Sequence, residues 1–428
     1  MSRPSPAPRR RRRAGRPGER GVALIIAVVA ITLLTVVATD FAYNTRVDLQ
    51  LATNQRDELR AHYLAQSGIG MSRLLLRFQK QLNGMQMPAI PGMPKLNLQI
   101  WKMARVDCQM LQGMVQSNEK GALEENAPRT VASSSDEELP EEATTQKRKS
   151  FGGFEGCFLS TIQDEETKLN LRRLALATGP DARSTTDQLL TMLTDKHYDF
   201  LWEHEDANGT KVTAQDVVIA LKDWMDEDET QSALNPDPNG PPFATGFASE
   251  TSGYDSYEPR YRPKNALFDS LDELYRVHGV NDKLMAAFGD RFTVYPDQSH
   301  GLNINSDDTT VLISAILSAV TPQTRPVLLQ KPVALQEAIN AVKLARQISV
   351  LGMDVKTFVS VVGGAVTRYG VTMDPRLTTA QSTSGPLTDK SETFSITSVG
   401  EAGSVQKTVH AVVRLDDTLG KLLYWREE

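Results

Sequence analysis

The stretch that decides the fold reads Arg20-Gly21-Val22-Ala23-Leu24-Ile25-Ile26, where a basic leader meets an apolar segment. Residues 22–39 carry no charge. Their number is close to the roughly 20 residues that a helix needs to cross a bilayer. The leader holds eight arginines and one acid, and such basic flanks remain in the cytoplasm. The sequence therefore predicts a single-pass membrane protein whose bulk, beyond Asp40, lies across the membrane.

The apolar segment continues into an amphipathic pattern. Leu59, Tyr63 and Met71 belong to a series of apolar positions spaced by about three or four residues, and residues 22–86 contain no proline. One helix of about 60 residues, roughly 90 Å long, is therefore predicted. A cleaved secretory signal ending near Thr39 is the alternative, but such a signal is not normally followed by a continuation of its own helix.

This order of basic leader, glycine, apolar helix and amphipathic helix resembles a type IV prepilin. The resemblance implies that a prepilin peptidase cuts between Gly21 and Val22 and that the new N-terminus is methylated. It places the protein in a bacterial inner membrane, with its C-terminal bulk in the periplasm. Most such subunits carry a glutamate at the fifth mature position, where this chain has Ile26. Loss of that glutamate is typical of the K-type minor pseudopilins of type II secretion and suits a subunit at the filament tip.

Composition describes an acidic exported protein. The 428-residue chain carries a net charge of −6, of which the leader contributes +7, so the remainder carries −13. An acidic surface of this kind disfavours nucleic acid or anionic lipid as the main partner. The chain has two cysteines, Cys108 and Cys157. They could pair as a disulfide in an oxidising periplasm, and two free buried thiols are the alternative.

The pattern along the chain predicts an α+β fold with a long N-terminal helix, a pilin-like antiparallel sheet and a large all-helical insertion domain. Residues 116–150 are rich in serine and charged side chains and are predicted to be disordered, with a docking tail as the alternative. The predicted N-terminal units are the leader at 1–21 and the pilin helix at 22–84, whose transmembrane part is at about 22–39. The first strands are predicted at 95–165, beginning with a strand at 95–107. A helical domain of the SAM-like or helix-hairpin-helix-like kind follows at 166–370, and C-terminal strands at 390–428 complete the sheet.

An acidic cluster ends one predicted helix, at Asp223-Trp224-Met225-Asp226-Glu227-Asp228-Glu229. Alternating carboxylates supply the oxygen ligands that Ca²⁺ prefers, although the glycine and final glutamate of an EF-hand are absent. Acids at the C-terminus of a helix oppose its dipole, which favours a compensating cation. A solvated helix end that binds no ion is the alternative.

This region also resembles the K-type pseudopilins through an ordered series of motifs at residues 164–171, 223–229, 261–265 and 302–305. That family binds calcium in the acidic loop. The resemblance therefore implies a calcium site whose ligands are Asp226, Asp228, Asp255, Asp223 and Glu229. It also implies a non-catalytic subunit that initiates and caps the type II pseudopilus in the export of folded proteins across the outer membrane. The implied partners are the I and J classes of minor pseudopilin, the major pseudopilin, the prepilin peptidase and the inner membrane.

Three other functions have weaker support. A minor pilin of a related type IV pilus would share the leader and helix. A DNA-binding protein is suggested by Leu302-Asn303-Ile304-Asn305-Ser306, which resembles the entry of a helix-hairpin-helix, but Asp307 and Asp308 follow where basic residues would be needed. An anchored hydrolase would need a nucleophile elbow or a His-Glu-x-x-His motif, and the sequence has neither. The sequence therefore predicts no enzyme and no nucleic-acid partner.

Overall fold

The computed structural model describes residues 19–84, 99–108 and 150–428. Within the last range it leaves out 152–153, 177–179, 204, 206–208, 210, 238–239, 299–300, 307–308, 349–351, 379–386 and 417–418. Residues 1–18 of the predicted leader and 116–149 of the predicted insertion lie outside the described residues.

The described part of the chain consists of one long helix, a sheet, and a set of shorter helices and strands between β4 and β11. The α-helices are α1 (Glu19–Gly84), α2 (Ile100–Met103), α3 (Pro180–Leu193), α4 (Ala214–Asp223), α5 (Asp282–Phe288), α6 (Thr309–Ala319), α7 (Arg325–Gln330), α8 (Pro332–Ile348), α9 (Val355–Val366) and α10 (Pro375–Thr378). The strands are β1 (Val106–Asp107), β2 (Ser150–Phe151), β3 (Phe154–Glu155), β4 (Cys157–Asp164), β5 (Leu169–Asn170), β6 (Thr230–Leu234), β7 (Phe243–Ser249), β8 (Phe292–Thr293), β9 (Leu302–Asn303), β10 (Leu387–Thr388), β11 (Thr393–Ala402), β12 (Val405–Arg414) and β13 (Lys421–Glu427).

Helix α1 confirms the predicted long helix and runs without a break for 66 residues. Its apolar first part is not covered by any other described residue, because the most apolar 18-residue window of Val22–Asn83 is 0% buried. The mean hydropathy of this window is 2.8. A free helix this apolar would be unfavourable in water, because its side chains would stay hydrated. By length and composition it fits a single-pass membrane anchor.

The second half of α1 packs along a five-stranded antiparallel sheet with the order β1-β4-β11-β12-β13. Side chains at three- and four-residue spacing, among them Ala61, Ala65, Ile69 and Leu76, are buried against this sheet. One face of an amphipathic helix thereby covers one face of the sheet, as the spacing predicts. The predicted C-terminal strands are confirmed by β11, β12 and β13.

The predicted strand at 95–107 is wrong over most of its described length. Only β1 is a strand there, and it follows the short helix α2. The Ile100 backbone N–H donates to Gln79 Oε1 at 2.7 Å, and Trp101 packs edge-on against Phe394 at 5.4 Å. These contacts hold the segment across the end of α1, where an extended strand could not make them.

A disulfide joins Cys108 to Cys157, with the Cα atoms 5.6 Å apart. It ties the residue after β1 to the first residue of β4 and so closes the chain around the insertion. Loops closed in this way stabilise the native state mainly by restricting the unfolded chain.

Residues 165–392, here called the head, are inserted between β4 and β11 and have two hydrophobic cores. The first core draws on residues 169–295, together with Val412 of β12, and includes Phe268, Phe288 and Phe292. The second draws on residues 302–387 and includes Ile316 and Phe358. The head is not all-helical as predicted, because β6 and β7 form an antiparallel hairpin inside the first part. A proline- and glycine-containing turn between these strands favours the hairpin.

The head joins the sheet at the end that lies farthest from the apolar first part of α1. Asp164 and Phe394, at the two junctions, face each other across β4 and β11. Close to them, Lys390 Nζ donates to the carbonyl of Asn83, in the last turn of α1. At the other end of β11, Gly400 lies against Ala61, about six helical turns nearer the anchor. The head therefore extends from the end of the sheet and of α1 that is distant from Val22.

Candidate metal centre

Helix α4 brings the predicted acidic cluster into the first core of the head. Its start is fixed by a capping box, in which Asp216 Oδ2 accepts from the Thr213 backbone N–H at 2.9 Å and Thr213 Oγ1 accepts from that of Asp216. Val217 and Leu221 are buried on its apolar face. Because both the cap and the face are fixed, the C-terminal Asp223 is held in place at the edge of the core.

Three carboxylates converge where α4 ends. One oxygen each from Asp223, Asp226 and Glu250 lies within 4.8 Å of the other two. Asp223 and Glu250 are 3% and 5% exposed, respectively. Asp223 Oδ1 also accepts from the Ser232 backbone N–H at 3.0 Å, which links the cluster to β6. Since buried carboxylates repel one another, this convergence requires a compensating partner or a bound proton.

The β6–β7 hairpin delivers Glu250 to the cluster. The Glu250 backbone N–H donates to the Glu229 carbonyl at 3.3 Å, and Ser249 caps the 3-10 turn Glu250–Gly253 that follows. Beyond this turn, the ring of Tyr254 packs 6.0 Å from that of Trp224. The aromatic contact and the hairpin together fold the chain back over the end of α4.

The cluster is short of positive charge. Burial, followed by the charges of Asp226, Asp223 and Asp228, raises the pKa of Glu250 to about 8. Burial likewise raises the pKa of Asp223 to about 6. Lys222 bonds to Asp226 Oδ2 and supplies one positive charge. One lysine does not balance three converging carboxylates.

Two buried oxygens of the cluster, Asp226 Oδ1 and Glu250 Oε1, have no hydrogen-bond partner among the residues that the structure describes. A buried carboxylate oxygen without a partner carries a desolvation cost that a directly bound cation removes. Hard cations such as Ca²⁺ bind carboxylate oxygens of this kind. The residues present therefore fit a calcium ion, which Asp223, Asp226 and Glu250 would hold.

The structure treats the other predicted ligands differently. Asp228 is exposed, and its Oδ1 accepts from the Thr230 backbone N–H at 2.8 Å. It lies close enough to contribute to the raised pKa of Glu250. The backbone carbonyl of Glu229 accepts from the Glu250 backbone N–H, and the Glu229 side chain is exposed. Asp255 is exposed and does not belong to the group of three carboxylates. Of the five predicted ligands, the structure brings Asp223 and Asp226 together and adds Glu250.

Glu250 was missed because it is 24 residues from Asp226 in sequence. One signal points to it in retrospect: it is the only charged residue in the stretch 238–254. A lone acid in a stretch of apolar and small polar residues is unusual for a solvated loop. Its proximity to Asp223 depends on the β6–β7 hairpin, which was not predicted.

The segment considered for DNA binding is buried. Leu302 to Ser306 are all less than 8% exposed, and β9 pairs in parallel with β10. Asn303 Nδ2 donates to Asp164 Oδ2 at 3.0 Å, so two of the motifs in the predicted series meet at the base of the head. These residues join the head to the sheet and leave no surface there for a phosphate backbone.

Comparisons with known proteins bear on the domain that holds the cluster. One similar solved structure is a chain in the crystal structure of the GspK-GspI-GspJ complex from the enterotoxigenic Escherichia coli type 2 secretion system. The match covers 64% of this chain and 80% of that chain, with 16% sequence identity and a TM-score of 0.41. No match was found among curated proteins. The family described as type II secretion system (T2SS), protein K, matches residues 167–297, which contain all three carboxylates. Residues 167–297 therefore form a domain of the kind found in protein K of type II secretion systems.

Proposed function

We propose that this protein occupies the tip of the type II pseudopilus, where it initiates and caps the filament and makes or breaks no covalent bond. The observation that carries the proposal is the position of the head, which leaves the sheet at Asp164 and returns at Thr393, the end distant from the membrane anchor. A domain of more than 200 residues on that end would obstruct the addition of another subunit above it.

The long helix α1 would attach the protein to the inner membrane and to the filament. Its exposed apolar first part suits packing among the helices of other pseudopilins, both in the inner membrane and in the filament. Ile26 stands where most family members carry a glutamate that pairs with a neighbouring N-terminus. A tip subunit has no neighbour above it to supply that partner, and an unpaired carboxylate would be costly in the apolar filament interior.

The proposed partners follow from the same role. They are the I and J classes of minor pseudopilin, the major pseudopilin below them, and the prepilin peptidase that removes the leader before Val22. The head is proposed to lie in the periplasm, consistent with the basic leader and with the Cys108–Cys157 disulfide.

The acidic cluster is proposed to bind calcium as a structural ion. Asp223 and Asp226 would hold it from the end of α4, and Glu250 from the end of the β6–β7 hairpin. The bound ion would supply the positive charge that the cluster lacks, so that the hairpin stays closed against α4. The converging carboxylates and their two unpaired buried oxygens support this assignment.

The tip position can be tested by labelling. Pseudopili would be assembled from the major pseudopilin in cells that express the full chain, and an antibody against the head would be located by gold particles in electron micrographs. Particles at one end of each filament are expected. Particles distributed along the filament would contradict the tip position, and an antibody against the major pseudopilin serves as the control for access.

A further inference from the structure

Strand β4 is only partly covered on its outer side. On its inner side β11 pairs with β4 along its whole length. On the outer side β1 pairs with Leu159 and Ser160. Among the residues that the structure describes, residues 161–164 have no strand partner on that side. An open strand edge presents backbone N–H and C=O groups that can pair with another extended chain.

A cleft with a volume of about 670 Å³ lies beside this open edge. One wall is the α2–β1 segment, which includes Lys102 and Arg105, and the opposite wall is the head, at Arg291 and Val311. The side chain of Leu159 is 47% exposed at the sheet surface. The cleft thus combines a strand edge, an apolar contact surface and walls from both parts of the molecule.

The charged side chains around the cleft are mainly basic. Four are basic and two are acidic: Lys102, Arg105, Lys168, Arg291, Asp164 and Asp290. Lys168 is paired with Glu165 at 2.7 Å. Arg105 Nε lies 3.6 Å from Asp107 Oδ2, but the Arg105 side chain is 82% exposed, so its remaining N–H groups face the cleft side of the surface. Asp164 is buried and accepts from Asn303 and Ser391, so its carboxylate is directed into the protein. In a chain whose exported part carries −13, a basic cleft is a local exception that favours an acidic ligand.

We propose that an extended segment of a partner protein, with alternating acidic and apolar residues, binds in this cleft as an added strand along residues 161–164 of β4. Backbone hydrogen bonds to the open edge would supply affinity, as in other cases of strand addition. Successive side chains of a strand point to opposite faces. The apolar side chains would therefore contact Leu159 and its neighbours, while the acidic ones would meet Arg105 and Arg291.

The chain's own acidic run at residues 136–142 is the competing occupant. It has the required charge, but Pro140 has no N–H to donate to a strand ladder and Leu139 is its single aliphatic side chain. An alternating pattern is absent from this run. The cleft therefore favours a partner, and this surface is separate from the helix and head position on which the proposed tip role rests.

Fluorescence anisotropy would test the proposal with the full chain in detergent micelles and a fluorescein-labelled hexapeptide of sequence Glu-Val-Glu-Val-Glu-Val. Saturable binding is expected, at least fivefold weaker for the Arg105→Glu, Arg291→Glu double variant. The double variant Lys407→Glu, Lys421→Glu, which makes the same charge change away from the cleft, should bind the peptide as the unaltered chain does. Equal weakening in both double variants, or no saturable binding to the unaltered chain, would overturn the proposal.

Two further measurements separate strand addition from its alternatives. A hexapeptide with N-methylated alternate amides keeps the charge but cannot form the ladder, so its affinity should fall at least fivefold; unchanged affinity would mean charge attraction alone. Neutralising the chain's own run by Asp136→Asn, Glu137→Gln, Glu138→Gln, Glu141→Gln and Glu142→Gln should leave peptide affinity unchanged. A tenfold gain in affinity would show that the chain's own run occupies the cleft, against the proposal.

Discussion

Gly400 of β11 lies directly against Ala61 of α1, so closely that a Cβ added to the glycine would stand 2.0 Å from the Ala61 carbonyl oxygen. The same Cβ would lie 2.5 Å from the Ala65 nitrogen. Both obstacles are backbone atoms, which cannot move aside as a flexible side chain can. The long helix and the sheet therefore meet backbone to backbone at this point, and a glycine is required there because it has no side chain.

Gly400→Ala should lower stability by separating α1 from the sheet. A cost of about 1–3 kcal/mol is expected, as for overpacking in a well-packed interior. Gly364→Ala in α9 is the matched control, because nothing lies within 4 Å of a Cβ added there. It should raise stability by about 0.5–1 kcal/mol, since alanine is the better helix former. Urea unfolding of both variants would measure the two values, and a similar change in both would contradict the described packing.

Calcium should raise the melting temperature of the protein through the carboxylate cluster. Glu250→Gln should reduce this rise strongly. The calcium-free variant should melt higher than the calcium-free parent, because the parent must either bury the charge of Glu250 or bind a proton there on folding, and glutamine does neither. A ligand at 100 times its dissociation constant stabilises by about 2.7 kcal/mol. Asp255→Asn removes an exposed acid outside the cluster and serves as the control. Scanning calorimetry with calcium and with chelator would decide, and an equal calcium effect in Glu250→Gln would exclude this residue as a ligand.

Asp164 should make stability depend on pH. Burial, with the charge of Glu166 as the second cause, raises the pKa of this carboxyl from 3.8 to about 7. The folded protein then holds a proton that the unfolded chain has released, so stability should fall as pH rises from about 4 to about 7. The limiting slope for one proton is about 1.4 kcal/mol per pH unit.

The variant Asp164→Asn should lack this contribution. Its loss of one hydrogen bond, from the Glu166 backbone N–H, adds an offset that does not vary with pH. Titrating groups other than Asp164 and its neighbour Glu166 contribute to both proteins alike, so the difference in free energy of unfolding between parent and variant reports on this pair. A difference that is constant between pH 5 and pH 7 would mean that Asp164 is ionised throughout.

Removing the disulfide should destabilise the sheet. With a sequence separation of 49 between Cys108 and Cys157, loop-closure arguments give a loss of about 4 kcal/mol. The double variant Cys108→Ser, Cys157→Ser should unfold at lower urea concentration than the oxidised parent and at nearly the same concentration as the reduced parent. If reductant lowered the stability of the double variant as much as that of the parent, the effect would not come from this bond.

Replacing the glycine before the apolar helix should block removal of the leader. In cells that contain the prepilin peptidase, Gly21→Leu should keep the leader and migrate more slowly than the processed parent. Ala23→Leu alters a nearby position on the other side of the bond and should be processed. Mass spectrometry of the N-terminus would identify the cleaved bond, and a parent protein that begins at a residue other than Val22 would refute the assignment.

Local patterns in the sequence were sufficient for the elements that depend on local physics. The uncharged run at 22–39 and the spacing after it determined α1, since hydrophobic periodicity and the absence of proline act within a few helical turns. The alternating residues of β11 and β12 likewise predicted the C-terminal strands. The helix that carries Asp223 was also predicted, because its cap and its apolar face lie within ten residues.

Only the tertiary structure determined the features that depend on distant contacts. Contacts with Gln79 and Phe394 prevent most of the segment at 99–108 from forming a strand. These contacts cannot be inferred from the alternating pattern of the segment itself. Glu250 lies near Asp223 because a hairpin folds back over the end of α4, so a carboxylate 24 residues from Asp226 belongs to the cluster and Asp255 does not. Sequence alone determined which residues are acidic and which segment has the length and composition of a membrane anchor. Which carboxylates become close neighbours was decided by long-range packing, because burial and electrostatic repulsion depend on three-dimensional distance.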